Sequence, residues 1–151
     1  MGKFDFEIDQ DFVKKLLELS DPDEYVPQIL DSAIPILEES VKSELSKHKR
    51  TSQLINSVKK TKASKSPNGG YFVCVMPTGK SDSYIDGKGV LRKYKVPVRN
   101  MEILAHLEYG TSKQKPTPIL TKAYKDSYNE VMAKMQEEFG KVVVKWVYQV
   151  K

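Results

Sequence analysis

Residues 104–120 read LAHLEYGTSKQKPTPIL, and this stretch decides how the chain is parsed. An apolar run closes on Glu108, Tyr109, Gly110 and Thr111. Four polar residues follow, then Pro116 and Pro118, and an apolar run restarts. Gly110 can take a positive φ and end one element abruptly. Residues 112–115 make a flexible link, Pro116 stiffens it, and Pro118 presets the first turn of a following helix. Two elements joined at a set angle are expected here. Upstream, Asn100 reads as an N-cap with Ile103, Leu104 and Leu107 inward, predicting a helix over 101–109, with a strand as the alternative. Downstream, Thr117 and Pro118 open the longest helix, with Leu120, Tyr124, Tyr128, Val131, Met135 and Phe139 as its stripe and Gly140 as its stop. Residues 141–150, KVVVKWVYQV, read as a terminal strand.

The rest of the chain fits around that joint. Residues 9–19 carry Phe12, Leu16 and Leu19 on one stripe, a short amphipathic helix in an acidic extension spanning 1–24. A second helix is expected over 22–48 along Leu30, Ala33, Leu37, Val41 and Leu45, kinked or split at Pro35. Residues 51–60 predict a third helix capped by Thr51 or Ser52, 62–70 a loop, and 71–76 a strand. Residues 77–95, rich in Gly, Ser, Asp and Lys, read as a long flexible loop or a loose hairpin. The expected class is α+β: one domain of several helices, including a long C-terminal one, packed on a small, mostly antiparallel sheet.

Composition narrows the function. The chain has 151 residues, enough for one domain with a core, and 30% charged with 9% aromatic residues predicts a globular fold. No apolar run approaches the ~20 residues that cross a bilayer, and the first ten residues lack the pattern of a signal peptide. The single cysteine, Cys74, excludes an internal disulfide and reads as a buried thiol in a chain made in a reducing cytoplasm. The net charge of +5 is unevenly spread: residues 1–40 sum to −8, 41–65 to +7 and 80–125 to +6. Complementary patches on one chain suit a head-to-tail contact that closes into a ring where the rotation allows. A basic face for nucleic acid, and a plain solvated surface, are the alternatives.

Catalytic and metal-binding patterns are not found. His48 and His106 stand 58 residues apart without partners at metal-ligand spacing. Residues 86–90, DGKGV, lack the frame of a phosphate-binding loop. Asp126 and Glu130 lie one helical turn apart, a spacing that solvated helix faces commonly show. A non-enzymatic protein without cofactor or metal is expected.

The order NMEILAHLEYGTSKQKPTPILTKAY resembles a family of long-tailed phage neck proteins, the tail-completion or head–tail joining proteins, often labelled minor tail components. Glu108, Tyr109, Gly110 and Thr111 match its acid-aromatic-Gly-Thr run, and Pro116, Pro118, Ile119, Leu120 and Ala123 match the proline segment that opens its last helix. Thr51, Leu54, Ser57 and Val58 match an upstream motif in which Ser52 replaces the usual glycine. Thr117, Pro118 and Ile119 stand where the commonest family form has Arg-Pro-Phe. The resemblance spans residues 25–140. It implies a structural virion protein, assembled in the host cytoplasm as a ring, often of six copies, between the tail tube protein and the head connector or stopper, with DNA only as passing cargo. Glu108, Tyr109, Gly110, Thr111, Pro116 and Pro118 are then candidate interaction residues. Tyr84, Ile85, Val90 and Leu91 are added as apolar contacts of an arm at 77–95 that orders against a neighbour. The competing reading is a nucleic-acid-binding protein using Lys47, Lys49, Arg50, Lys59, Lys60, Lys62 and Lys65.

Overall fold

The computed structural model describes residues 21–48 and 51–149. The helix expected at 9–19, and all of the acidic extension before residue 21, lie outside them. Four helices are described: α1 (Pro22–Lys47), α2 (Ser52–Ser57), α3 (Asn100–Tyr109) and α4 (Ile119–Gln149). Six strands, β1 (Val58–Lys60), β2 (Ser64–Lys65), β3 (Tyr71–Phe72), β4 (Val75–Pro77), β5 (Lys80–Ile85) and β6 (Leu91–Arg99), pair antiparallel as β1–β4, β2–β3 and β5–β6. The class is α+β, as expected, with three two-stranded ladders in place of one sheet.

α1 starts where the sequence offers a cap. The Asp21 carboxylate accepts from the Asp23 amide at 3.0 Å, and Pro22 fills the first turn. The helix runs unbroken through Pro35, which corrects the expected split. Pro35 has no N–H to give the Asp31 carbonyl four residues back, and Lys60 Nζ lies 3.5 Å from that oxygen instead. The Asp31 carboxylate accepts from the Ala63 amide at 3.0 Å, so the strand arm is fastened to α1 where the helix lacks a bond.

The helix expected over 51–60 ends at Ser57. Val58 is fully buried and turns extended, pairing with Pro77. Thr78 takes the Ser57 carbonyl with both its amide, at 2.8 Å, and its hydroxyl, at 3.1 Å. Burial of a β-branched side chain in a ladder outweighs one more helical turn. The expected 62–70 loop contains β2, and the expected 71–76 strand is two, β3 and β4. Between them Cys74 bonds Thr61 through backbone and hydroxyl, and it is half-buried rather than buried.

α1 and α4 lie side by side and antiparallel. Ser40 Oγ donates to the Ala123 carbonyl at 3.0 Å near one end, and the Tyr25 and Trp146 rings meet edge-on at 4.8 Å near the other. The core gathers at the first end from Val41, Leu45, Leu54, Val58, Leu104, Leu107, Ile119 and Ala123. Each large side chain there contributes about 1.5–3 kcal/mol by leaving water. The expected terminal strand at 141–150 is a correction: α4 continues through Gly140 to Gln149. β-branched residues favour a strand locally, but Val142, Val143 and Trp146 fall at helical spacing on the side nearest α1, and all three are partly buried. Lys141 bridges back across Gly140 to Glu137 at 2.9 Å and Glu138 at 2.8 Å. These contacts offset the ~1 kcal/mol that a mid-helix glycine costs.

One buried acid ties the two long helices. Glu44 on α1 receives Lys47 at 2.8 Å and Lys122 of α4 at 2.9 Å, with His48 Nε2 3.4 Å away. The Lys47 hydrogen bond first, then Lys122, hold its carboxyl down at about 2. A depressed carboxyl contributes stability that is complete above its unfolded value, about 4.5, and is lost as pH falls toward 2. Glu44→Gln is therefore expected to flatten the loss of stability between pH 4.5 and 2, as read by urea midpoints across that window. Parallel pH profiles for variant and parent would contradict it.

Candidate interaction surface

The residues of the opening stretch divide between a joint and a surface. Glu108 is only 8% exposed, and its carboxylate accepts from the amides of Leu120 at 2.8 Å and Thr121 at 3.1 Å, and from the Thr121 hydroxyl. A side chain at the end of α3 thus caps the start of α4, where unpaired N–H groups and the helix dipole favour a negative charge. Within the chain Glu108 therefore serves as a cap between two helices. Gly110 has φ +76°, and a Cβ there would lie 2.7 Å from the Gln114 carbonyl oxygen and 2.8 Å from Pro116 N. Thr111 and Gln114 exchange backbone bonds of 2.8 and 3.3 Å, closing the link into a tight turn. The Thr117 amide then satisfies the Leu107 carbonyl at 2.6 Å. Tyr109, between the cap and the glycine, is 81% exposed. Thr111, Pro116 and Pro118 are exposed beside it.

Asn100 was expected to cap α3, but Arg99 occupies that place without a side-chain bond. Asn100 is buried instead, accepting from Ser81 Oγ at 2.5 Å and donating to the Thr78 carbonyl at 2.7 Å. This pair pins the base of the β5–β6 hairpin. Gln53 of α2 adds bonds to the Asp82 amide at 3.3 Å and the Ser83 hydroxyl at 3.2 Å. The tip closes on Asp86, whose carboxylate accepts from the Lys88 and Val90 amides at 2.9 Å each and from Arg92 Nε at 3.0 Å. These bonds, the Val90 amide first and then Arg92, hold the Asp86 carboxyl below its usual range. The segment expected as a loop or loose hairpin is a hairpin closed within one chain, and its strands reach Arg99.

Between the hairpin and α3 lies an open groove of about 750 Å³. The hairpin contributes Tyr84, Ile85, Tyr94 and Val98, and α3 contributes Ile103, His106 and Leu107. His48 from the end of α1 and Gln114 from the turn complete it, so the two histidines border one groove. Tyr84 and Tyr94 stack across the hairpin with centroids 4.8 Å apart. Of the sequence-expected contacts, Tyr84 and Ile85 line this groove, while Leu91, 65% exposed, and Val90 face outward at the tip. Val96 of β6, 71% exposed, was not among the sequence-expected contacts.

No group of three or more metal-ligating side chains occurs among the described residues, nor does any described helix have the length and apolarity to cross a membrane. Part of the expected basic cluster is engaged within the chain: Lys47 pairs with Glu44, Lys65 with Asp23 at 2.8 Å, and Lys60 Nζ lies 3.5 Å from the Asp31 carbonyl, while Lys59 and Lys62 are exposed and Lys49 and Arg50 lie outside the described residues. Comparisons of the chain with protein-family models, with characterised proteins and with solved structures find no match.

Glu108→Ala is expected to cost about 1–3 kcal/mol, through two uncapped amides in a half-buried joint. Gly110→Ala should cost at least about 2 kcal/mol from a positive φ and a backbone clash. Tyr109→Ala should stay within about 0.5 kcal/mol. Urea unfolding of the three variants checks the order, and a Tyr109→Ala loss equal to that of Glu108→Ala would refute the division.

Proposed function

We propose that the chain is a structural, non-enzymatic subunit of a long-tailed phage neck, a tail-completion or head–tail joining protein. Copies assemble head to tail into a ring between the tail tube protein and the head connector or stopper, in virions built in the host cytoplasm, with DNA passing through as cargo. The observation that carries this reading is the hairpin, which leaves apolar side chains uncovered: Val90, Leu91 and Val96 stand out to solvent, and Ile85, Tyr94 and Val98 border an open groove. A small protein gains little by leaving such surface in water, and contiguous exposed apolar area marks interaction sites. Support also comes from the order of Glu108, Tyr109, Gly110, Thr111, Pro116 and Pro118, whose cap, turn and proline link set one fixed angle between α3 and α4 and leave Tyr109 projecting. Different surfaces on one chain meeting each other give the heterologous contact that a ring needs.

The double variant Leu91→Ser, Val96→Ser tests this without touching the Ser81–Asn100 pair at the hairpin base. It should keep its unfolding midpoint within about 0.5 kcal/mol of the parent's, since both residues are exposed. It should fail to join purified heads to tails, with unjoined particles seen by electron microscopy. Joining at the parental rate, or absence of the protein from purified particles, would overturn the proposal.

A further inference from the structure

Most carboxylates among the described residues have a hydrogen-bond or ion-pair partner within the chain. Glu24, Glu39, Glu102, Asp126 and Glu130 make no hydrogen bond or close ion pair, though Lys122 acts on Asp126 from a distance, and three of these five border one site. Glu39 on α1, and Asp126 and Glu130 on α4, rim a shallow groove of about 280 Å³ between the two helices, with Ile36 among its lining residues. All three acids are exposed and present a local negative field. The hairpin shows the opposite imbalance. Lys80, Lys88, Lys95 and Arg99 are exposed and form no ion pair with a described residue, whereas Arg92 is held by Asp86 and Lys93 acts on Asp82. In its own chain the hairpin leans over α3, and the groove beneath it shares no lining residue with the acidic one.

Resting on the ring reading above, we infer that the acidic groove between α1 and α4 is the seat for the β5–β6 hairpin of a second copy of this chain. The contact runs from hairpin to groove around the ring and is heterologous. Charge complementarity selects the pairing: unpaired cations on the strands and tip meet unpaired acids on the helices, and Leu91 or Val96 has Ile36 as an apolar partner. The nine residues of β6 span about 30 Å, enough to cross from one subunit to the helix pair of the next. Such a contact favours fast, salt-sensitive association over tight binding.

The test uses full-length chains with reversed charge. One variant carries Glu39→Lys, Asp126→Lys and Glu130→Lys; the other carries Lys88→Glu, Lys93→Glu and Lys95→Glu. Each by itself should self-associate on the order of tenfold or more weakly than the parent, by native mass spectrometry and cross-linking at millimolar chain and low salt. An equimolar mixture should recover assembly, because each reversed hairpin then finds a matching groove in the other variant. Circular dichroism of each variant establishes that it is folded. Parental oligomers that both reversals leave intact would overturn the groove as the seat while leaving the ring. A parent that forms no oligomer at millimolar concentration or in the presence of tails would overturn the ring reading and this contact with it. Loss in both variants without recovery on mixing would overturn the pairing of these two surfaces.

Discussion

Two amides at the start of α4, those of Leu120 and Thr121, end on one carboxylate that belongs to α3. An N-cap normally belongs to its own helix, and it then says nothing about where the helix points. Glu108 makes the cap a tertiary bond, so the start of α4 cannot form well unless α3 is in place. Gly110 and Thr117 enforce the same geometry from the link, one by allowing a backbone approach that any Cβ would block, the other by closing the α3 carbonyl of Leu107. α4 is 31 residues, about 46 Å, so a few degrees at this joint move its far end by several ångströms. The second fixed point, Tyr25 against Trp146, lies near that far end, and the Glu44–Lys122 bridge lies near the joint.

Charge is used twice, inside the chain and at its surface. The acidic start and the basic middle of the sequence look like patches waiting for partners, but part of each is consumed internally. Asp23 holds Lys65, the carboxylates of Asp31 and Glu38 accept from the amides of Ala63 and Lys60, and Glu44 holds Lys47 and Lys122. These pairs fasten the β2–β3 arm along α1 and join α1 to α4. Both the hairpin and the groove between the long helices keep charges that these pairs do not use.

The joint was largely legible in the sequence, because glycine, proline and a helix-start pattern act locally and carry their geometry with them. The bounds of α1 followed from periodicity, which also favoured helix for 101–109 while leaving strand open. Four features were not legible. Val142, Val143, Val144 and Val147 favour extended backbone, yet the segment is helical, with Val142, Val143 and Trp146 partly buried and Trp146 set against Tyr25. Pro35 signals a break unless Lys60, distant in sequence, stands near the freed carbonyl. The sequence left 77–95 open between a loop and a loose hairpin, because the stabilising bonds come from Asp86, Asn100 and Gln53, whose identities suggest only turns and caps. The role of Glu108 was hidden for the same reason: a glutamate before an aromatic and a glycine does not reveal which amides it will reach.

The chain holds one tryptophan, and its place at the end of the helix pair away from the core gives the protein's light emission a particular meaning. Trp146 is half-buried against Tyr25, remote in the fold from the core that α2, α3 and the strands enclose. Its fluorescence therefore reports the closing of α1 on α4 at that end and is nearly blind to the hairpin and to the joint at Glu108. The eight tyrosines, by contrast, sample every part of the molecule, so absorbance and tryptophan emission are two separate views of the same fold.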